Sequence, residues 1–302
     1  WSQSNPTRPH RPSNRHPRMP FTRTGPGPDV HWLAAVDRLR AAREPGVLVT
    51  LASTRGHSPR DAGAKMVVSA RETWGSIGGG NLEATAVDRA RRMIEQRASA
   101  PEQLDLALND KARTEHGRQC CGGEVGILLE PLAVAACVAV FGMGHVGHEL
   151  ARVLGRHHLD LHLVDSREEL LDIATRAWLA DAVARVEVHH APLPEMVLDL
   201  LPPGTHVLVM THDHAEDYAL CDATLRCTHL GTVGLIGSSA KWGRFQRRLT
   251  AEGHTAAAVA GIRTPIGIPD LGGKEPATIA VAVAADLLRV TSRDRGAVDV
   301  TP

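Results

Sequence analysis

No uninterrupted apolar run in this 302-residue chain approaches the ~20 residues that a bilayer-spanning helix needs. No apolar core of a secretory signal follows the start of the chain either. Net charge is missing too: 34 Lys and Arg balance 34 Asp and Glu, so the total favours neither nucleic acid nor an anionic membrane. Cysteine is scarce and odd in number, five in all, which argues against a disulfide scaffold and for a reducing cytoplasm. Two of the five are adjacent, Cys120-Cys121, rather than spaced as CxxC, and no second pair completes a tetrahedral set. A structural zinc site is therefore not expected. No internal repeat of fixed period is present.

What remains is an ordinary globular composition, 43% hydrophobic and 23% charged, long enough for two domains with separate cores. The exception is the start. Arg8, Arg11, Arg15, Arg18 and Arg23 all precede the first acid, Asp29, in a stretch rich in Pro, Ser and Asn. Residues 1–28 are predicted to be disordered. Their basic composition is that of a transit peptide, but the prolines preclude an amphipathic helix. Met19 heads a more typical start than Trp1, so residues 1–18 are expected to be an over-long gene reading or an added segment.

The first half, 29–131, reads as an α/β domain. Helical spacing of Trp32, Leu33, Val36 and Leu39 predicts a helix over 30–43, and short strands are expected at 47–51, 66–68, 74–77, 104–108 and 125–129. Residues 55–63 form a loop by their Gly, Pro and Asp content. Gly78, Gly79 and Gly80 then hand over to a helix, with Asn81 the expected N-cap and Leu82, Ala86, Ala90, Met93 and Ile94 the buried stripe. From 134 to 290 strands and helices alternate. Strands are predicted at 134–141, 161–164, 186–189, 206–210 and 232–236, and helices at 146–156, 167–178, 195–201, 215–226, 240–252 and 275–289. That alternation implies a doubly wound parallel sheet, with 291–302 left as a tail.

Two glycine-rich turns carry the functional signal. In the second, Gly142-Met143-Gly144-His145-Val146-Gly147 joins a strand to a helix, as in dinucleotide-binding units. Gly142 permits the tight turn, Gly144 lets a pyrophosphate approach, and Gly147 lets helix pack on strand. Asp165 ends the next strand at the distance expected of an acid reading ribose hydroxyls. Arg167 either caps the helix region, favours an extra phosphate, or is simply solvated. Thr211 and His212 are expected to line the crevice, with Asp213 capping the following helix. In the first turn, Gly78–Gly80 at a helix start offer backbone N–H groups to a phosphate, with Arg60 and Lys65 as flanking cations. Cys120 and Cys121, beside Gly122-Gly123, present soft sulfur for a metal or for persulfide. Cys137, Cys221 and Cys227 are taken as packing residues. His189-His190 and His157-His158 have no partner spacing and are expected at the surface or at strand ends.

Taken together, the motifs GSIGGGNLE (75–83), QCCGGEV (119–125), FGMGHVG (141–147), LIGSSAKWGRF (235–245) and TPIGIPDLGGKEPATIAVAVAADLL (264–288) closely resemble the XdhC/CoxI family, from about Leu48 to Arg289. The resemblance implies an N-terminal XdhC/CoxI α/β domain and a C-terminal Rossmann-like domain. It further implies a maturation factor rather than an enzyme. Such a factor binds molybdenum cofactor (molybdopterin), supports its sulfuration by a cysteine desulfurase, and delivers it to a xanthine dehydrogenase-type molybdenum hydroxylase. A cytoplasmic homodimer is implied, with no nucleic acid or membrane partner. Carried over by motif, the cofactor-binding set is Arg60, Lys65, Gly78, Gly79, Gly80, Asn81, Glu83, Cys120, Cys121, Gly142, Gly144, Gly147, Asp165, Arg167, Thr211, His212, Gly237 and Ser238. Cys120 and Cys121 would face the molybdenum.

The chain departs from the family pattern at two places. Asp61 stands where proline is common, and 238–242 is less basic than usual, leaving Lys241 and Arg244 as its cations. The ligand is expected between the halves, with a hinge near Pro131. Two other functions use the same features: an NAD(P)-dependent oxidoreductase, and a nucleotide-sensing regulatory protein. The first leaves the cysteine pair without a role, and the second needs no molybdenum-specific residues.

Overall fold

The computed structural model describes residues 31–108, 123–175 and 181–294. The segment 1–28, the Cys120-Cys121 turn and most of 291–302 therefore lie outside the described residues.

The first half is one antiparallel sheet with a helix on each face. Helix α1 (Trp32–Ala42) starts where the His31 side chain accepts from the Leu33 N–H, and it stops at Arg43, which takes a left-handed conformation with φ 53°. Strands β1 (Gly46–Arg55), β2 (Lys65–Ser69), β3 (Thr73–Gly75), β4 (Glu102–Ala107) and β5 (Glu124–Leu132) lie in the order β3-β2-β1-β5-β4. Helix α2 (Gly80–Glu95) brings Leu82, Ala86, Ala90 and Met93 onto Val49, Leu51, Met66 and Ile127. On the opposite face Ala35 and Leu39 of α1 meet Val67 and Trp74. Successive side chains of a strand alternate between faces, so β2 is apolar at consecutive positions because both of its faces are covered. Strand β1 runs past its expected end because its polar stretch to Arg55 stays paired with β5, with an irregularity between Leu51 and Ser53.

The second half is a parallel sheet. Its strands are β6 (Ala136–Phe141), β7 (Leu159–Asp165), β8 (Arg185–His190), β9 (His206–Val209), β10 (Val233–Leu235) and β11 (Ile262–Arg263), in the order β11-β10-β9-β6-β7-β8. Helices α3 (His145–Leu154), α4 (Glu168–Thr175) and α8 (Pro276–Asp294) cover one face through Leu150, Leu154, Leu171, Val283 and Leu287. Helices α5 (His214–Arg226), α6 (Ser239–Ala251) and α7 (Ala256–Ala260) cover the other through Leu220, Cys221, Phe245, Leu249 and Val259. The doubly wound reading holds. Strand order reverses between β6 and β9, and such a switch point leaves a crevice at the carboxyl ends of the strands.

Some local expectations change. Residues Pro194–Leu200 form a 3₁₀ helix. Pro194 at its start and Pro202-Pro203 beyond it leave too little chain for a settled α-helix. Helix α7 and strand β11 are too short to show a period, and α8 continues to Asp294 into the expected tail. Among the described residues no helix is long and apolar enough to cross a membrane.

The halves meet where β5 ends and β6 begins. Pro131 still pairs with Val47 in the ladder, so the connection beside it is 133–135. Arg43 crosses this junction: its guanidinium pairs with Asp160, and Nη2 donates to the Ala135 carbonyl at 2.9 Å. Two clefts of about 450 and 560 Å³ flank the junction, one lined by Gly46, Leu132 and Pro203, the other by Arg43, Pro131 and Asp160. Neither is lined by a residue of the glycine turns.

Candidate functional site

The three glycines after β6 meet three different surroundings. A Cβ at Gly142 would lie 2.4 Å from the Met210 carbonyl oxygen, and one at Gly147 would lie 2.0 Å from that of Gly142. Both positions are glycine because the turn packs against backbone. A Cβ at Gly144 would meet nothing within 4 Å. It faces a cleft of about 910 Å³ lined also by His145, His148, Arg167, Thr211, His212 and, from the start of α8, Glu275 and Pro276. The N-terminus of α3 opens into this cleft with no acid in its first turn, so its free N–H groups present a positive end to an anion.

Asp165 buttresses that turn from beneath. It is 1% exposed, and its Oδ2 accepts from the Met143 N–H at 2.6 Å. Oδ1 accepts from both the N–H and Nε of Arg167 at 2.9 Å, while Arg167 Nη2 donates to Oδ2 at 3.0 Å. Burial alone would raise the pKa of this carboxyl, but the hydrogen bonds from Arg167 and Met143 outweigh it and hold the group below the usual carboxylate range. A ribose hydroxyl would reach Asp165 only by displacing the Arg167 fork.

Thr211 and His212 line the cleft, and Asp213 caps α5 by accepting from the Ala215 N–H at 2.7 Å. Pattern reading missed the residue behind them. Asp217 is fully buried; it accepts from the Thr211 N–H at 2.9 Å and from its hydroxyl at 2.8 Å, and pairs with the Lys241 ammonium. Lys241 Nζ also donates to the Ile236 carbonyl at 3.2 Å. Lys241 is thus corrected from a phosphate cation to a buried tie between α5 and α6. Gly237 makes room for it, since a Cβ there would lie 2.9 Å from Lys241 Cδ, and Ser238 caps α6 by accepting from the Lys241 N–H at 3.3 Å. Arg244 is exposed. The one sequence signal for Asp217 was an acid within the buried stripe of α5.

In the first half, Gly79 and not Asn81 is the N-cap of α2; Asn81 sits buried in the first turn. Glu83 supplies the cap that glycine lacks. Its Oε2 accepts from the Gly79 N–H at 3.0 Å and from the Ser76 hydroxyl at 2.7 Å, and Ser76 Oγ accepts from the Gly78 N–H at 3.1 Å. Two of the donors expected to meet a phosphate are therefore met by side chains of the turn itself. Gly78 has φ 131°, and a Cβ there would lie 2.5 Å from Pro59 Cγ and 3.6 Å from Arg60 Cγ. This contact brings Arg60, which is exposed, to the triple-glycine turn. Lys65 is placed elsewhere: it donates to Thr50 Oγ1 at 2.7 Å and lies 5.5 Å from the Trp32 ring, on the face covered by α1.

Gly123 sits under the same 55–63 loop, where a Cβ would lie 2.3 Å from the His57 carbonyl oxygen. Its own carbonyl accepts from the Leu108 N–H at 2.7 Å. Cys120 and Cys121 are outside the described residues, but the described flanks of their segment, Leu108 and Gly123, meet here. Cys137 and Cys221 are buried as expected, and burial raises both thiols, Cys221 to about 12. Cys227, at the end of α5, is raised by burial as well.

One histidine reading is corrected. His189 has a partner, His162 of the neighbouring strand, with Nε2 of one 2.9 Å from Nδ1 of the other and ring centroids 5.2 Å apart. Burial lowers the His162 pKa, and Glu187 opposes that shift. Adjacency across parallel strands carries no fixed spacing in sequence, so pattern reading had no means of pairing them.

A family model described as "XdhC and CoxI family" matches residues 39–105, and one described as "XdhC Rossmann domain" matches 138–287. The "Uncharacterized protein YqeB" of Escherichia coli (strain K12) is 22% identical over 268 residues, covering 85% of this chain and 46% of its own. The chain thus spans about half the length of that curated relative. A Bacillus halodurans protein, whose crystal structure is described as a xanthine dehydrogenase, aligns at TM-score 0.45 and 17% identity over 90% of this chain and 98% of its own.

Proposed function

The chain belongs to the XdhC and CoxI family, and on that premise we propose that it is an accessory protein that carries molybdenum cofactor during maturation of a xanthine dehydrogenase-type hydroxylase. The cofactor is cargo in this reading, not a resident catalyst. The observation that carries it is the cleft at Gly144, the one glycine of the 142–147 turn whose Cβ position is open, backed by a helix N-terminus. That arrangement fits the phosphate of a pyranopterin. The Arg167 fork on Asp165 speaks for an anionic phosphate ligand over a dinucleotide read through its ribose hydroxyls. His145 and His148 line the same cleft and offer hydrogen bonds to a pterin edge.

In the first half, Arg60 at the triple-glycine turn and Cys120-Cys121 would form a second station, where sulfur meets the metal end of the cargo once it has left the Gly144 cleft. A cysteine desulfurase would provide the terminal sulfido ligand, and the chain would act in the cytoplasm as a homodimer. The switch-point geometry also supports a second reading, in which the cleft holds a nucleotide that regulates release.

A reconstitution assay separates these readings. Chain isolated without oxygen from molybdate-replete cells is mixed with apo-hydroxylase, and activity is followed with and without added NADH. The carrier reading expects hydroxylase activity to rise with chain concentration and without nucleotide. No rise at any chain concentration would overturn it; a rise only with nucleotide would favour the second.

A further inference from the structure

The face of the parallel sheet that carries α5 holds a group of side chains used by neither turn. Parallel pairing sets His162 of β7 opposite Glu187 of the edge strand β8, and His189 follows two residues on along β8. With a side-chain period of two, all three project from one face. His162 Nδ1 lies 2.9 Å from His189 Nε2 and 3.8 Å from Glu187 Oε2, and the three ligand atoms fall within 4.8 Å of one another. Glu187 spends its other oxygen on Arg185, whose Nη2 lies 3.2 Å from Oε1. That contact neutralises Arg185 and leaves Oε2 turned to the imidazoles.

Two ring nitrogens at this separation share one proton. Replacing that proton by a cation bound at about 2.0–2.1 Å from each nitrogen requires them to open to roughly 3.3 Å, a few tenths of an ångström of side-chain rotation. The site has a floor and a mouth: the His162 side chain is 8% exposed and that of Glu187 46%. Two imidazoles and one carboxylate with a fourth position open to water form a donor set for a zinc-type ion rather than for magnesium or calcium.

We infer that His162, His189 and Glu187 bind a single divalent first-row transition-metal ion of the zinc type. The ion pins edge strand β8 to β7. The site shares no residue with the Gly144 cleft or the Cys120-Cys121 pair, so the inference is independent of the cargo reading.

Cobalt(II) titration of the metal-free full chain tests it, with zinc as competitor. A four-coordinate visible absorption band is expected to saturate, lack thiolate charge-transfer character, and be displaced by zinc. His189→Gln keeps a side chain that can hydrogen-bond to His162. It should lose affinity by well over the roughly 10–100-fold that a lost outer-shell partner costs. Zinc should raise the melting temperature of the unaltered chain and not that of His189→Gln. Glu187→Gln, on the exposed side, gives a second variant that keeps the fold, and it should also weaken cobalt binding. No cobalt band in the unaltered chain, a band undiminished in both variants, or a band with thiolate character would each overturn the assignment.

Discussion

A methyl group at Gly147 would sit 2.0 Å from a carbonyl oxygen, whereas one at Gly144 would enter the open cleft. Gly147→Ala is therefore expected to destabilise the chain by ~1–3 kcal/mol in urea unfolding, the usual cost of forcing extra volume into packed backbone. Gly144, with φ −68° in extended backbone, should accept alanine within about 0.5 kcal/mol, yet Gly144→Ala should weaken binding of molybdopterin or inorganic phosphate measured calorimetrically. Equal destabilisation by the two changes, or unaltered ligand binding in Gly144→Ala, would remove the division of roles. The spacing of these glycines was legible in sequence; which one faces a ligand was not, because that depends on Met210 and Gly142 backbone brought close by the fold. Asp165 shows the same limit. Its place at a strand end was readable, but its engagement by Arg167 and the Met143 N–H depends on side-chain conformation.

At the scale of elements, alternation and helical period located most of the sheet and its helices, since β6, β7 and β9 are buried runs with turns at both ends. The polar end of β1, the five-residue α7 and the two-residue β11 carry no such signal and follow from pairing with distant neighbours. The cap of α2 was misplaced by the rule that favours Asn, because Glu83 reaches back from within the helix to the Gly79 N–H. The tie between α5 and α6 was equally hidden. With the Lys241 and Asp217 side chains 7% and 0% exposed, Lys241→Met would strand a buried carboxylate. A loss of about 3–5 kcal/mol in urea unfolding is expected, with much of it recovered when Asp217→Asn is added. A loss below about 1 kcal/mol for Lys241→Met would place the pair in the class of solvated ion pairs instead.

Across the whole molecule, the two glycine turns occupy the strand ends that lie away from the junction. Strand β5 runs from Glu124 to Leu132 before the connection, and β6 runs from Ala136 to Phe141 after it. At a rise of ~3.3 Å per residue these strands extend about 30 Å and about 20 Å from the junction. The two clefts flanking the junction are bordered by Arg43, which spans it through Asp160 and Ala135. These contacts join residues 117 and 92 positions apart and leave no periodic trace in sequence. The central claim is that this chain carries a phosphorylated molybdenum–pterin compound. It is tested most directly by oxygen-free purification from molybdate-replete cells, followed by quantification of molybdenum and pterin in the protein fraction. The account predicts that both are retained in equal amounts and that both fall together in Gly144→Ala. Chain that retains neither, or that holds molybdenum without pterin, would contradict it.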